Sequence, residues 1–159
     1  MATRCGIGYD AHRLASNRKL ILGGVEVPHG LGLEGHSDAD VLCHAIADAL
    51  LGAIGERDIG HHFPNSDESI RGISSIAILE RVREVLAKAN GRIVNVDATL
   101  LAEAPKISAQ IDAMREKIAN ALRIDAPRVS IKATTNEGLG AIGRGEGMAA
   151  MAVASVEQD

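Results

Sequence analysis

Asp10 and His12 stand two residues apart in a strand-like run, Ile7-Gly8-Tyr9-Asp10-Ala11-His12, and His44 lies inside a later helix-like run. Alternate residues of a strand face the same side, so this carboxylate and this imidazole can reach one ion. With His44 brought over from the helix, the three make a two-imidazole, one-carboxylate set. Zinc accepts that set, and three protein ligands leave the fourth tetrahedral position open to water or substrate. An open position separates a catalytic metal from a structural one. Spacing alone leaves a second reading standing, in which the pair is a coincidence and His44 sits on a helix surface.

Other segments carry chemistry of their own. His36-Ser37-Asp38 precedes the helix that holds His44. Free backbone N–H groups and the positive dipole end make a helix start an anion site, and His36 can donate to a phosphate there. A capped helix start with an exposed histidine is the competing account, and such caps are common. Asp58-Ile59-Gly60-His61-His62-Phe63-Pro64 reads as a shaped loop, with Asp58 able to accept substrate hydroxyls. A second metal on His61 and His62 is the weaker option, because adjacent side chains diverge. Lys132-Ala133-Thr134-Thr135-Asn136-Glu137 follows a strand and offers hydroxyls, amides and a carboxylate, a mixture suited to phosphate plus a hard cation such as Mg²⁺. Ala104-Pro105-Lys106 ends another strand and places an ammonium at the same level.

Several functions are excluded. No G-x-x-x-x-G-K-[ST] is present, and the glycines at 143, 145 and 147 precede a strand rather than opening a helix. Cys5 and Cys43 lack basic neighbours that would activate a thiol. A net charge of −4 without a basic block, and an aromatic share of 1% from Tyr9 and Phe63 alone, argue against a nucleic-acid partner. No apolar run of about 18 residues exists to span a membrane. With no signal-peptide pattern ahead of the first strand, a reduced, cytoplasmic setting is expected.

These residues need elements to position them. Residues 3–9 read as a strand, and 19–22 with 25–27 as a hairpin around Gly23-Gly24. A Gly-rich loop follows over 28–35. Ser37 with Asp40 resembles a capping box, and Val41 to Ala53 repeats at helical spacing, with Asp40, His44 and Asp48 along one polar stripe. Residues 55–69 read as a long functional loop, and about 73–89 as a second helix with Ile76, Leu79, Val82 and Leu86 inward. A strand over 94–102, a helix over 107–122 and strands over 129–134 and 148–156 complete the order. One domain over residues 1–159 is expected. Its fold is an α/β (α+β) two-layer sandwich, with a mixed four-stranded sheet, helices on one face and a small hairpin.

The motifs taken together resemble the 2-C-methyl-D-erythritol 2,4-cyclodiphosphate synthase family nearly end to end. They are Gly8-Tyr9-Asp10-Ala11-His12-Arg13, His36-Ser37-Asp38-Ala39-Asp40, Asp58-Ile59-Gly60, Phe63-Pro64, Ala104-Pro105-Lys106, and Ala133-Thr134-Thr135-Asn136-Glu137 through Gly143-Arg144-Gly145-Glu146-Gly147. The resemblance implies a homotrimer with active sites at subunit interfaces and a small cytidine diphosphate substrate. The implied reaction cyclises 4-diphosphocytidyl-2-C-methyl-D-erythritol 2-phosphate with loss of CMP. By the same resemblance Asp10, His12 and His44 match the ligands of one Zn²⁺ per subunit, and Glu137 the carboxylate supporting Mg²⁺ or Mn²⁺. His36 and Thr135 match groups that stabilise the transferring phosphate. Ser37, Asp58, Ile59, Gly60, Phe63, Asn65 and Asp67 match substrate contacts, and Ala102 to Ser108 (Ala104, Pro105 and Lys106 among them) with Ala133 and Thr134 match the cytidine pocket on the neighbouring subunit. Asn65 stands where Asp is common and still accepts a hydroxyl. Tyr9, Ala141, Arg144 and Met151 match a central cavity that binds isoprenoid diphosphates in some relatives. Ala141 replaces an aromatic there and Met151 a Glu, so weak binding of such a ligand is expected.

Overall fold

A computed structural model describes residues 1–159. The chain runs through β1 (Ala2–Ala15), β2 (Leu20–Leu22), β3 (Val25–Val27), β4 (Gly32–Leu33), α1 (Val41–Ile54), α2 (Ile59–His62), α3 (Ser75–Lys88), β5 (Gly91–Leu101), α4 (Ile111–Leu122), β6 (Val129–Thr134), α5 (Gly140–Gly143) and β7 (Gly147–Gln158). The main sheet has the order β4-β1-β7-β5-β6, and β2 and β3 form a separate hairpin. β1 pairs antiparallel with β7 from Ala2↔Gln158 to Arg13↔Gly147. β5 is antiparallel to β7 and parallel to β6, a parallel pairing that α4 makes possible by carrying the chain back.

The four long strands expected from the pattern are present, and the two-residue β4 adds a fifth. It escapes sequence reading because two residues show no alternation. Gly32 is required there, since a Cβ would stand 2.4 Å from the carbonyl oxygens of Arg18 and Lys19. β1 also continues past residue 9 to Ala15, because β7 offers it a partner along nearly its whole length. The polar stretches 55–69 and 136–147 are not wholly irregular: they hold α2 and α5.

α1 is the central helix. All its residues except Asp48 and Gly52 are buried, as expected of a helix apolar on most sides. Its cap differs from the expected Ser37 box. Asp40 is the N-cap, with its side chain accepting from Cys43 N, and Gly55 closes the helix in the left-handed conformation at φ 77°. α3 presents Ile78, Leu79, Val82 and Leu86 to the core, with Ile78 rather than Ile76 the more deeply set. One continuous apolar cluster joins these helices and α4 to one face of the sheet. The opposite face leaves Ile7, Tyr9, Met151 and Val153 exposed.

The contact between α1 and β1 is unusually close because Gly6 and Gly8 offer no side chains. A Cβ on Gly8 would lie 1.8 Å from Ala45 O, and one on Gly6 2.0 Å from Ala49 O. Backbone cannot yield there without moving the helix. Gly8→Ala is therefore expected to destabilise the fold by roughly 1–3 kcal/mol or more. Chemical denaturation checks this, and a wild-type midpoint would show that α1 can shift freely.

Candidate active site

Strand alternation turns Asp10 and His12 of β1 toward the helices, and His44 in the first turn of α1 meets them at a residual exposure of 5%. His44 is thus not a surface histidine. Asp10 Oδ2 lies 2.9 Å from His12 Nε2 and 3.1 Å from His44 Nδ1, and the three ligand atoms lie within 4.8 Å of one another. The far nitrogen of each ring is held. His12 Nδ1 donates to Glu34 O at 2.8 Å, and His44 Nε2 sits 3.2 Å from Ser37 Oγ.

Those outer bonds decide what the inner atoms are. Glu34 O can only accept, so the neutral His12 ring keeps its lone pair on Nε2. That buried atom makes no hydrogen bond, although a carboxylate oxygen lies beside it. Two acceptors in such contact need a proton or a cation between them. Without a metal the proton serves: proximity to Asp10 pushes the His12 pKa up against the opposing effect of burial. Burial pushes the Asp10 carboxyl up, and the adjoining His12 and His44 rings more than reverse this, leaving it at about 2. A divalent cation serves better, meeting one carboxylate oxygen and two nitrogens whose outer bonds fix the ring orientation. The residues fit a metal.

A buried carboxylate behind the centre holds its elements in place. Asp40, at 0% exposure, accepts from Gly23 N at 3.0 Å, Gly24 N at 2.7 Å, Cys43 N at 3.1 Å and Ser75 Oγ at 2.7 Å. Asp38 adds bonds from Asp40 N and Ser75 N. The β2–β3 hairpin and the starts of α1 and α3 are therefore tied around one side chain. Asp48, a turn beyond His44, accepts from Ile59 N at 2.8 Å, anchoring α2, and burial pushes its carboxyl up. The residues 40, 44 and 48 do share a helix face, but that face looks inward.

A cleft of about 280 Å³ opens over the triad, and His36, Ser37, Ile59, Gly60, Phe63 and Asn65 line it with Asp10, His12 and His44. His36 Nε2 is buried there without a partner. Asp58 and Asp67 are outside this lining. Asp58 caps α2 through His61 N, and Asp67 caps the turn at 68–70 through Ser69. His61 and His62 also stay out of it, with His62 Nε2 donating to Glu56 O. Gly35, Ile70, Ile73 and Ile78 complete the wall; sequence reading missed these, because nothing local marks an apolar residue as cleft-facing.

A second cavity of about 360 Å³ gathers Ala102, Pro105, Lys106, Ala133, Thr134 and Thr135. It shares no lining residue with the first. In the sheet order β1-β7-β5-β6, its β6 wall stands three strand positions from Asp10, roughly 14 Å across the sheet. Ala104, Glu137 and Arg144 lie outside the lining, and Arg144 pairs with Glu146 at 2.8 Å.

A model of the YgbB family matches residues 3–157. The chain belongs to the YgbB family. Its relatives include the 2-C-methyl-D-erythritol 2,4-cyclodiphosphate synthase of Lachnospira eligens, 57% identical over 153 residues, which cover 96% of this chain and 84% of that protein. The protein of the same name from Alkaliphilus metalliredigens is 56% identical over 155 residues, 98% of each chain. Among solved structures, IspF of Plasmodium falciparum, described as a CDP complex, aligns with a TM-score of 0.86 at 34% identity, covering 99% of this chain and 97% of that one. The bifunctional IspDF from Campylobacter jejuni aligns at 0.95 and 37% identity; this chain matches 43% of its length. The YgbB family thus combines this fold with proteins named for the cyclase step of isoprenoid precursor synthesis.

His44→Ala is expected to release the bound divalent ion while the far-UV circular dichroism stays unchanged. Metal analysis of the purified variant checks this, and a fully loaded variant would remove His44 from the ligand set.

Proposed function

We propose that Asp10, His12 and His44 hold Zn²⁺ in the service of the family's cyclase reaction, in a cytoplasmic homotrimer. The enzyme converts 4-diphosphocytidyl-2-C-methyl-D-erythritol 2-phosphate to 2-C-methyl-D-erythritol 2,4-cyclodiphosphate and CMP. The observation that carries the metal role is the triad itself: three ligand atoms facing one point at the floor of an open cleft. When bound, zinc supplies Lewis-acid stabilisation of phosphoryl charge.

An oxygen of the 2-phosphate attacks the β-phosphorus, the bond from that phosphorus to the bridging oxygen of CMP breaks, and CMP leaves. Nucleophile and electrophile belong to one molecule, so the protein need not supply a covalent nucleophile. Its work is positioning and charge stabilisation. His36, buried and unpartnered in the cleft, donates from Nε2 to a phosphoryl oxygen, and the Thr135 hydroxyl does so from the other side. Ser37 both orients His44 and contacts the phosphate. Ile59, Gly60, Phe63 and Asn65 hold the methylerythritol part, with Asp58 and Asp67 reaching it from the cleft edge, and the Ile59, Ile70 and Ile73 wall excludes water.

The second cavity takes the cytidine end. Ala102, Pro105, Lys106, Ala133 and Thr134 enclose the base and ribose with Ala104 at the rim, Lys106 brings positive charge, and Glu137 supports Mg²⁺ or Mn²⁺ on the diphosphate. The CDP complex described for the Plasmodium relative supports such a nucleotide end. Because the two cavities of one chain share no wall, the complete site joins the metal cleft of one subunit to the cytidine pocket of its neighbour. The exposed apolar face of Ile7, Tyr9, Met151 and Val153 supports that association. Arg144 lies in the central region of the trimer. No helix is long and apolar enough to cross a membrane, and two free thiols, Cys5 and Cys43, suit a reducing compartment.

Phosphorus NMR of turnover tests the chemistry. CMP and the cyclic diphosphate should appear without inorganic phosphate; phosphate release with incorporation of solvent oxygen would establish a phosphohydrolase instead. Lys106→Ala is expected to raise KM at least several-fold while kcat falls little, as for lost ground-state binding. An unchanged KM would take Lys106 out of the pocket.

A further inference from the structure

Glu103 falls within the 102–108 stretch that resembles the cytidine pocket, but the sequence gives it no role of its own. It lies two residues beyond the end of β5, half-buried, and is itself part of the wall of the second cavity. Its Oε1 accepts two backbone hydrogen bonds, from Asn136 N and Gly138 N, each at 3.1 Å. The residue between those two amides is Glu137. Glu137 sits at φ 52°, in the left-handed region that a side chain seldom adopts, and Gly138 follows at φ 75°. The Glu137 amide in turn donates to Thr135 Oγ1 at 3.2 Å.

Apart from half-buried Asn136, residues 132–141 are exposed, so core packing cannot set the shape of this segment. The ladder ends at its start, where Ala102 N donates to Thr134 O. Beyond that point Glu103 supplies the bonds that connect the turn to the rest of the chain, whereas the others, such as Leu139 N to Asn136 O, are internal to it. A carboxylate oxygen receiving two N–H groups is a strong anchor.

We propose that Glu103 is a positioning residue: by gathering the amides on either side of Glu137, it fixes the Glu137 carboxylate and the Thr135 hydroxyl against the 102–108 wall of the cavity. Its Oε1 is taken up by these two amides, so it acts through Glu137 and Thr135. Its effect falls on the coupling between a divalent cation and a nucleoside diphosphate in that cavity. This role rests on the reading of Glu137 as the cation-supporting carboxylate.

Calorimetric titration of CDP into the zinc-loaded, assembled protein, with and without Mn²⁺, provides the test. Glu103→Ala is expected to reduce the Mn²⁺-dependent gain in CDP affinity by roughly tenfold or more, as for other residues that orient a metal ligand. Binding of CDP without Mn²⁺ should change far less, and zinc content and circular dichroism should stay at wild-type levels. Glu103→Gln keeps an oxygen acceptor for both amides and should restore most of the gain. An Ala variant that keeps the full Mn²⁺ effect, or a Gln variant as impaired as Ala, would overturn the positioning role. Glu137→Gln separates the two assignments: if it leaves the Mn²⁺ effect intact, the cation role of Glu137 falls; if it abolishes the effect while Glu103→Ala does not, Glu103 alone is wrong.

Discussion

A helix can lie against a strand closely enough to share a metal with it only where side chains are missing between them. Gly6 and Gly8 of β1 provide that gap, and Ala45 and Ala49 of α1 fill it with backbone. Gly6, Gly8, Asp10 and His12 are successive residues on one face of one strand. The first two bring the helix in, and the next two meet what it carries. Because helix and strand are both rigid over this length, the separation of His44 from Asp10 follows from the glycines rather than from any flexible segment. A triad built this way is held by regular elements, which place side chains more precisely than loops do.

The approach fixes distance, and Asp40 fixes rotation. A fully buried carboxylate is costly unless its lone pairs are satisfied, and here four donors from the hairpin, α1 and α3 satisfy them. Those donors belong to elements far apart in sequence, so the side chain sets how α1 is turned and where the 36–38 segment crosses above it. Ser37 then reaches the outer nitrogen of His44. The polar residues around the cleft form a graded set, from an inner triad through a ring of orienting bonds to a buried anchor.

Much of this was legible in the sequence, for identifiable reasons. The spacing of Asp10 and His12 has one meaning on a strand, so their common face could be read directly. The long strands and helices announced themselves through sustained periodicity. Ser37 was taken for the cap because its spacing to Asp40 fits a box, yet Asp40 itself caps the helix, since its carboxylate is drawn to amides of the hairpin as well as its own helix. β4 and α2 were too short to show a period. The anchoring role of Glu103 was invisible for a different reason: its partners lie some thirty positions downstream, and the bonds it accepts show only once the turn it holds is folded. Contacts distant in sequence are what a single chain conceals.

The pairing of β1 with β7 carries a consequence for how the molecule comes into being. The strand bearing Asp10 and His12 finds its main partner among residues 147–158, near the opposite end of the chain. During synthesis that strand lacks its main partner until residues 147–158 have left the ribosome. Pairings of such long sequence separation slow folding through the entropy of closing the loop. Competence for metal is therefore acquired late, as the final strand slots between β1 and β5 and closes the sheet.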